Sequence, residues 1–230
     1  MRARFTLADI QQHALAIVDR DGLAALTMRS LAASLQTGAM TLYNYVDSRE
    51  ALEELVVDAV SALVEIPEPT DDWLADTRAV ATALWRTFRA HPAAIPLVLT
   101  RRTSSRASLA PAEALAAALA RGGLDGVDLF VAFRTVSAFV MGIVQNELAG
   151  RLSHEKDPAS AAQRIGALAQ GVLPTLAELA PVGATFTGQE FERGLTVVLN
   201  GIRHTPARHS AGGRRTPMSD PPLGTRRQAR

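Results

Sequence analysis

The stretch GLAALTMRSLAASLQTGAMTLYNYVDSREAL, residues 22–52, holds two short helical patterns separated by a tight turn. Thr27 has the side chain of an N-cap, and Leu31, Ala32 and Leu35 recur on one face, which predicts a helix over Met28–Leu35. Gln36-Thr37 reads as the turn, and a second short helix is predicted over Gly38–Tyr45. Leu26, Leu31, Leu35 and Leu42 can lock the pair, which leaves small and polar side chains on the outer face of the second helix. This is the pattern of a helix-turn-helix over Thr27–Val46, whose first helix supports while the second enters a DNA major groove.

The flanks extend the helical reading. Thr6 is an N-cap candidate with Asp9 three residues on, and Ile10, Ala14, Ile17 and Val18 follow at helical spacing until Gly22. Asp47 and Glu50 have capping-box spacing and open a fourth helix, whose Leu52, Leu55, Val56, Ala59 and Leu63 hold a single face to about Glu65. Pro67 and Pro69 then break the chain. Residues 1–50 are therefore read as a three-helix, homeodomain-like head, 48–65 as a connecting helix, and 66–205 as a second helical domain. In that domain helices are predicted over Asp71–His91, Ile95–Thr100, Pro111–Arg121, Val127–Leu152, Pro158–Leu179 (kinked or ended at Pro174) and Thr187–Arg203. Val127–Leu152 is apolar around almost its whole circumference, so it must be covered on all sides, and a subunit interface is the natural second cover. Residues 206–230 carry six Arg against Asp220 among Gly, Pro and Ser, and read as a disordered basic tail.

Composition agrees with an all-α protein: 47% of residues are hydrophobic, only 5% are aromatic, and Ala and Leu dominate. The absence of cysteine excludes disulfides and thiolate metal sites. No signal peptide and no apolar run of membrane-spanning length are read, so a cytoplasmic protein without a membrane partner is expected. Residues 1–50 carry five Arg against five acidic side chains, so phosphate binding there cannot lean on bulk charge. It must use helix N-termini and hydroxyls.

The spacing G-L-x-x-L-T-M-R-x-L-A-x-x-L, then T-L-Y-x-Y-V, then R-x-x-L resembles the TetR/AcrR repressor family over residues 7–56. The family usually has Gly where Gln36 stands, and Thr37-Gly38 is expected to supply the turn instead. The resemblance implies phosphate contacts from Thr27, Thr41, Tyr43 and Arg49, and a base contact from Arg29. It implies that Ala39, Met40, Asn44 and Tyr45 set sequence preference, while Gly38 and Ala39 allow close approach. Residues 71–204 resemble the tetracycline-repressor type of C-terminal domain more loosely, through Trp73, His91-Pro92, Thr100-Arg101 and FRTVSAFVMGIV. That likeness implies dimerisation through Val127–Leu152 and Thr187–Arg203, and an inducer held in the domain core. The family's tetracycline-binding His and Asn fall at about Glu65 and Val80, so tetracycline is not the expected inducer.

The expected ligand site is mostly apolar, with Trp85, Phe88, Arg101, Phe133, Ser137 and Met141 as its candidates. His91 reads as a helix C-terminal cap rather than a ligand contact. The five His are scattered and none forms a metal-ligand pair, so neither metal, cofactor nor catalysis is expected. The reading is a homodimeric repressor released from a palindromic operator by a small-molecule inducer. The alternative is a helical ligand-binding or interaction module without sequence-specific DNA binding.

Overall fold

The computed structural model describes residues 5–100, 105–152, 158–185 and 188–204. The basic tail at 206–230 lies outside the described residues. Every regular element among the described residues is helical: α1 (Leu7–Asp21), α2 (Met28–Ser34), α3 (Ala39–Leu42), α4 (Arg49–Ala62), α5 (Trp73–Ala90), α6 (Ile95–Thr100), α7 (Arg106–Arg121), α8 (Gly126–Leu152), α9 (Pro158–Ala169), α10 (Pro174–Thr185) and α11 (Glu190–Arg203).

The head begins with a capping box. The Thr6 hydroxyl accepts the Asp9 N–H at 3.1 Å, and the Asp9 carboxylate accepts the Thr6 N–H at 2.8 Å. Thr27 and Ser30 repeat the device at the start of α2. The turn after α2 differs from expectation. Gln36 itself takes the left-handed conformation (φ 53°), whereas Gly38 has an ordinary φ of −80°. The Thr37 N–H donates to the Ala32 carbonyl at 2.9 Å and the Gln36 N–H to the Ala33 carbonyl at 3.0 Å, the pairing of a Schellman end. The family's Gly position thus keeps its backbone geometry with a residue that tolerates it less well. The following helix is also shorter than the predicted Gly38–Tyr45. The Tyr45 and Val46 N–H groups both turn back to the Leu42 carbonyl, at 2.8 and 2.9 Å, which ends α3 within a turn.

The cap of α4 is Ser48, not Asp47: its hydroxyl accepts the Ala51 N–H at 3.0 Å. Three residues on stands Ala51, so no side chain reaches back to complete a box. The helix stops at Ala62 rather than Glu65, and its burial is not confined to a single face. Leu52, Leu55, Val56, Val57, Ala59 and Val60 are buried, and so are Glu53, Asp58 and Ser61. The reason is tertiary: α1 packs on one side of α4, and α6 and α7 pack on the other. One apolar core therefore runs from Ile10 of the head to Ile202 of α11.

The linker into α5 is held by Asp76. Its carboxylate accepts the Thr70 N–H at 2.9 Å and the Thr70 hydroxyl at 2.8 Å, and it pairs with Arg121 at the end of α7. Burial pushes this carboxyl upward, but the two Thr70 bonds and the Arg121 guanidinium together hold it below its ordinary value.

The remaining helices correct several boundaries. α7 starts at Arg106, capped by Ser105, and carries Pro111 inside it. The span Pro158–Leu179 is two helices. Pro174 opens α10 as its first residue, where its missing N–H costs nothing, after a turn through Gly171 at φ 79°. The expectation of no membrane-length run also needs correcting. Gly126–Leu148 is long and apolar enough to cross a membrane by length and composition, and 22% of its most apolar stretch is buried within the protomer. Its Val136, Val140 and Val144 are in the core, packed toward α5, α7 and α11, whereas Val127, Phe130 and Val131 are exposed.

Two stability predictions follow from these contacts. Gln36→Gly removes the left-handed strain and is expected to stabilise by up to about 1 kcal/mol, net of the freer unfolded glycine. Gln36→Val is expected to lower the melting temperature in the same calorimetric series. Because folding depresses the Asp76 carboxyl, its contribution is fully present above its ordinary value of 3.8 and is lost as pH falls below it. Asp76→Asn should therefore lower the urea midpoint at neutral pH, and the gap from the parent should close in acid.

Candidate nucleic-acid interface and effector cavity

The residues expected to read DNA lie at the starts of α2, α3 and α4 and in the turn after α3. Arg29, Gly38, Asn44 and Arg49 are exposed, Met40 is 79% exposed and Tyr43 51%, and Tyr45 is exposed beside them. Ala39 and Thr41 are half-buried, because α3 seats its fully buried Leu42 in the core. Met40 is thus the most projecting apolar side chain of the candidate recognition helix. Thr27, Tyr43 and Arg49, well separated in sequence, line one groove of about 240 Å³ together with Asp47 and Ser48. The groove collects the N-terminal ends of α2 and α4, where backbone N–H groups point outward.

Two of these side chains are already engaged. The Thr27 hydroxyl caps α2. Arg49 donates from Nε to Glu53 at 2.7 Å, from Nη1 to the Leu26 carbonyl, and from Nη2 to the Leu23 carbonyl at 3.3 Å. Arg49 therefore ties the first turn of α4 to the segment that leads into α2. This role had no signal in the sequence, because the carbonyls it binds are 23 and 26 residues away.

The second site is a cavity of about 190 Å³ between α4, α5, α7 and α8. It brings together four of the six expected ligand residues: Phe88, Phe133, Ser137 and Met141. Arg101 lies outside the described residues. Trp85 does not line the cavity. Its ring stacks on Phe191 of α11, with centroids 4.4 Å apart and planes 7° apart, and its N–H donates to Glu147 of α8 at 3.2 Å. Arg89 stands over the same ring at 5.1 Å and pairs with Glu147 at 3.0 Å. Trp85 is a joint between α5, α8 and α11.

Sequence reasoning missed the walls made by α4, the residues just after it and α7, among them Val57, Ser61, Val64 and Ser108. None of the four carries a local signal in the sequence, because the walls opposite them belong to α5 and α8. Behind Ser108 stands the buried carboxylate of Asp58. Its Oδ1 accepts the Ser108 hydroxyl at 2.6 Å, and its Oδ2 accepts the side-chain amide of Gln11 on α1 at 3.4 Å. One acid thus bridges the cavity wall to the head. His91, the C-cap of α5, makes a second tie, with Nδ1 2.7 Å from Asp19 of α1.

Comparison with known proteins agrees with this arrangement. Residues 66–205 match the family model described as "Tetracyclin repressor-like, C-terminal domain". An HTH-type transcriptional regulator of Saccharopolyspora erythraea is 33% identical over 193 residues, covering 84% of this chain and 82% of that one. The HTH-type transcriptional repressor DrrR1 of Streptomyces coeruleorubidus is 28% identical over 210 residues, covering 86% and 77%. The Streptomyces coelicolor TetR family protein ActR, solved in complex with actinorhodin, superposes with a TM-score of 0.75 at 28% identity, over 87% of this chain and 96% of that one. With a helix-turn-helix head, a shared α4 and a C-terminal domain of this type, the chain belongs to the TetR family of DNA-binding, ligand-responsive transcriptional regulators.

Proposed function

We propose that the protein is a homodimeric repressor that binds a palindromic operator and is released from it by a small, largely apolar molecule. It acts in the cytoplasm by binding alone, without catalysis or cofactor. The observation that carries this reading is that one helix walls both sites. Arg49 of α4 and its cap Ser48 line the groove at the head, and Val57 and Ser61 of α4, with Val64 just past its end, line the cavity. About 13 residues of α-helix separate Ser48 from Ser61, close to 20 Å. A molecule that wedges α4 from α7 or α8 at one end must tilt the head at the other. A preference of about 100-fold for the tilted state, close to 2.7 kcal/mol, is enough for partial release.

Dimerisation is assigned to α8 and α11. Val127, Phe130 and Val131 on α8 and Val197 on α11 are large, apolar and exposed, and Val131 and Val197 line a shared groove of about 380 Å³. Such a surface on a lone protomer calls for a cover, and two copies meeting across α8 and α11 supply one. In the dimer the two α3 helices enter successive major grooves, with Arg29 at a base edge and the Thr27, Tyr43 and Arg49 groove on a phosphate.

Operator DNA selected from a random pool with the intact protein is expected to be palindromic. Arg29→Ala should then cost about 1–3 kcal/mol of operator affinity and relax specificity at one base pair, whereas Tyr43→Phe should weaken binding evenly across sequences. Selection that enriches no palindrome would support the interaction-module reading instead. Val131→Glu combined with Val197→Glu should turn the dimer into monomers in sedimentation while leaving the helical circular dichroism intact.

A further inference from the structure

The cavity wall has a polarity that reaches beyond size and apolar lining. Among the described residues no Arg, Lys or His lines it, and its side-chain polar atoms are the hydroxyls of Ser61, Ser108 and Ser137. A hydroxyl has one proton to give and two lone pairs to offer. Ser137 gives its proton to the Phe133 carbonyl at 2.8 Å, one turn back in α8. Ser108 has the carboxylate of Asp58 at 2.6 Å, an acceptor that draws its proton more strongly than the Ser105 carbonyl at 2.9 Å. Ser137 and Ser108, the latter also 2.8 Å from the Ser105 hydroxyl, therefore have their protons engaged and remain as acceptors, whereas Ser61 can give as well as accept. Behind Ser108 stands the buried carboxyl of Asp58.

Resting on the reading of this cavity as the effector site, we propose that it selects an uncharged, largely apolar molecule bearing a hydrogen-bond donor, and that it rejects carboxylates. A phenol or alcohol O–H entering here meets acceptors already oriented by their own bonds. A carboxylate meets these acceptors, with the Asp58 carboxyl behind Ser108 and no cation among the described lining, so only Ser61 can donate to it and its hydration is poorly replaced. Size narrows the class. An apolar cavity of about 150 Å³ takes up benzene, and this one, at about 190 Å³, takes a molecule of one or two rings. The donor docks on the same Ser108 that holds Asp58, and Asp58 in turn holds Gln11 of α1. Occupancy is thereby felt at the head.

The test uses three bicyclic probes on the intact dimer at neutral pH, by titration calorimetry: 2-naphthol, naphthalene and 2-naphthoate. 2-Naphthol is expected to bind about ten-fold or more tightly than either of the others, the worth of one good buried hydrogen bond. Ser137→Ala and Ser108→Ala should each shrink the ratio of 2-naphthol to naphthalene affinity. Asp58→Asn should narrow the gap between 2-naphthol and 2-naphthoate. Ser137→Ala removes only an oxygen within α8, so it keeps the test valid if the Asp58 or Ser108 variants fold poorly. Binding of 2-naphthoate as tight as that of 2-naphthol overturns the charge rule, and its loss in Arg101→Ala would assign the counter-charge to Arg101. In that outcome the effector reading survives, provided that Ala112→Leu, which fills the cavity, abolishes binding of all three. No binding by any probe, or binding that Ala112→Leu leaves untouched, overturns both the polarity rule and the cavity as the effector site.

Discussion

Asp58 is a carboxylate at the middle of a helix packed on both sides, and the protein's two halves meet on it. A buried acid is costly to leave without partners, so Ser108 of α7 and Gln11 of α1 must both stay within reach while α4 holds its place. The surrounding valines and leucines supply the attraction, but apolar contact is non-directional and lets helices slide. The hydrogen bonds on Asp58 set the register of α1, α4 and α7 relative to one another. The Arg49 anchor does the same at the N-terminal end of α4, where the guanidinium ties it to the carbonyls before α2. α4 is thus held in its first turn by Arg49 and farther along, beside the cavity, by Asp58.

This arrangement explains how a head with no net charge can address a polyanion. The charges of residues 1–50 cancel, and several acidic groups are committed to structure: Asp9 to a cap, Asp19 to His91, Asp21 to Arg20. What faces outward at the candidate interface is a set of helix starts, hydroxyls and aromatic rings around a four-residue α3. Affinity built this way depends on the placement of backbone N–H groups more than on summed charge.

On the other side of α4 the apolar surface exceeds what one protomer covers. α8 has apolar residues all round, and the core of α5, α7 and α11 takes only part of them. The hairpin of α9 and α10 likewise leaves Leu168, Val172 and Leu179 exposed. The aromatic joint of Trp85, Phe139 and Phe191 stiffens the α5, α8 and α11 corner, and Phe139 lies so close to Gly194 that a side chain there would collide with the ring.

The sequence by itself determined the helical class, the helix-turn-helix and its capping residues, because N-caps, glycine ends and a 3.6-residue apolar period are local properties carried by neighbouring side chains. Thr6, Gly22, Thr27 and the leucines at 26, 31, 35 and 42 were legible for that reason. The likeness to the tetracycline-repressor type of C-terminal domain also pointed to four residues that line the cavity, Phe88, Phe133, Ser137 and Met141. The tertiary structure decided what depends on distant partners. It placed the left-handed turn on Gln36, moved Trp85 from the cavity to a joint, gave Arg49 its carbonyl anchors, and turned α4 from a one-faced helix into one buried on both sides. Asp58 carries no local signal that sets it apart from other acidic residues of the chain. Only the packing of α1 and α7 against it, 47 and 50 residues away along the chain, made it the group on which the head and the cavity meet.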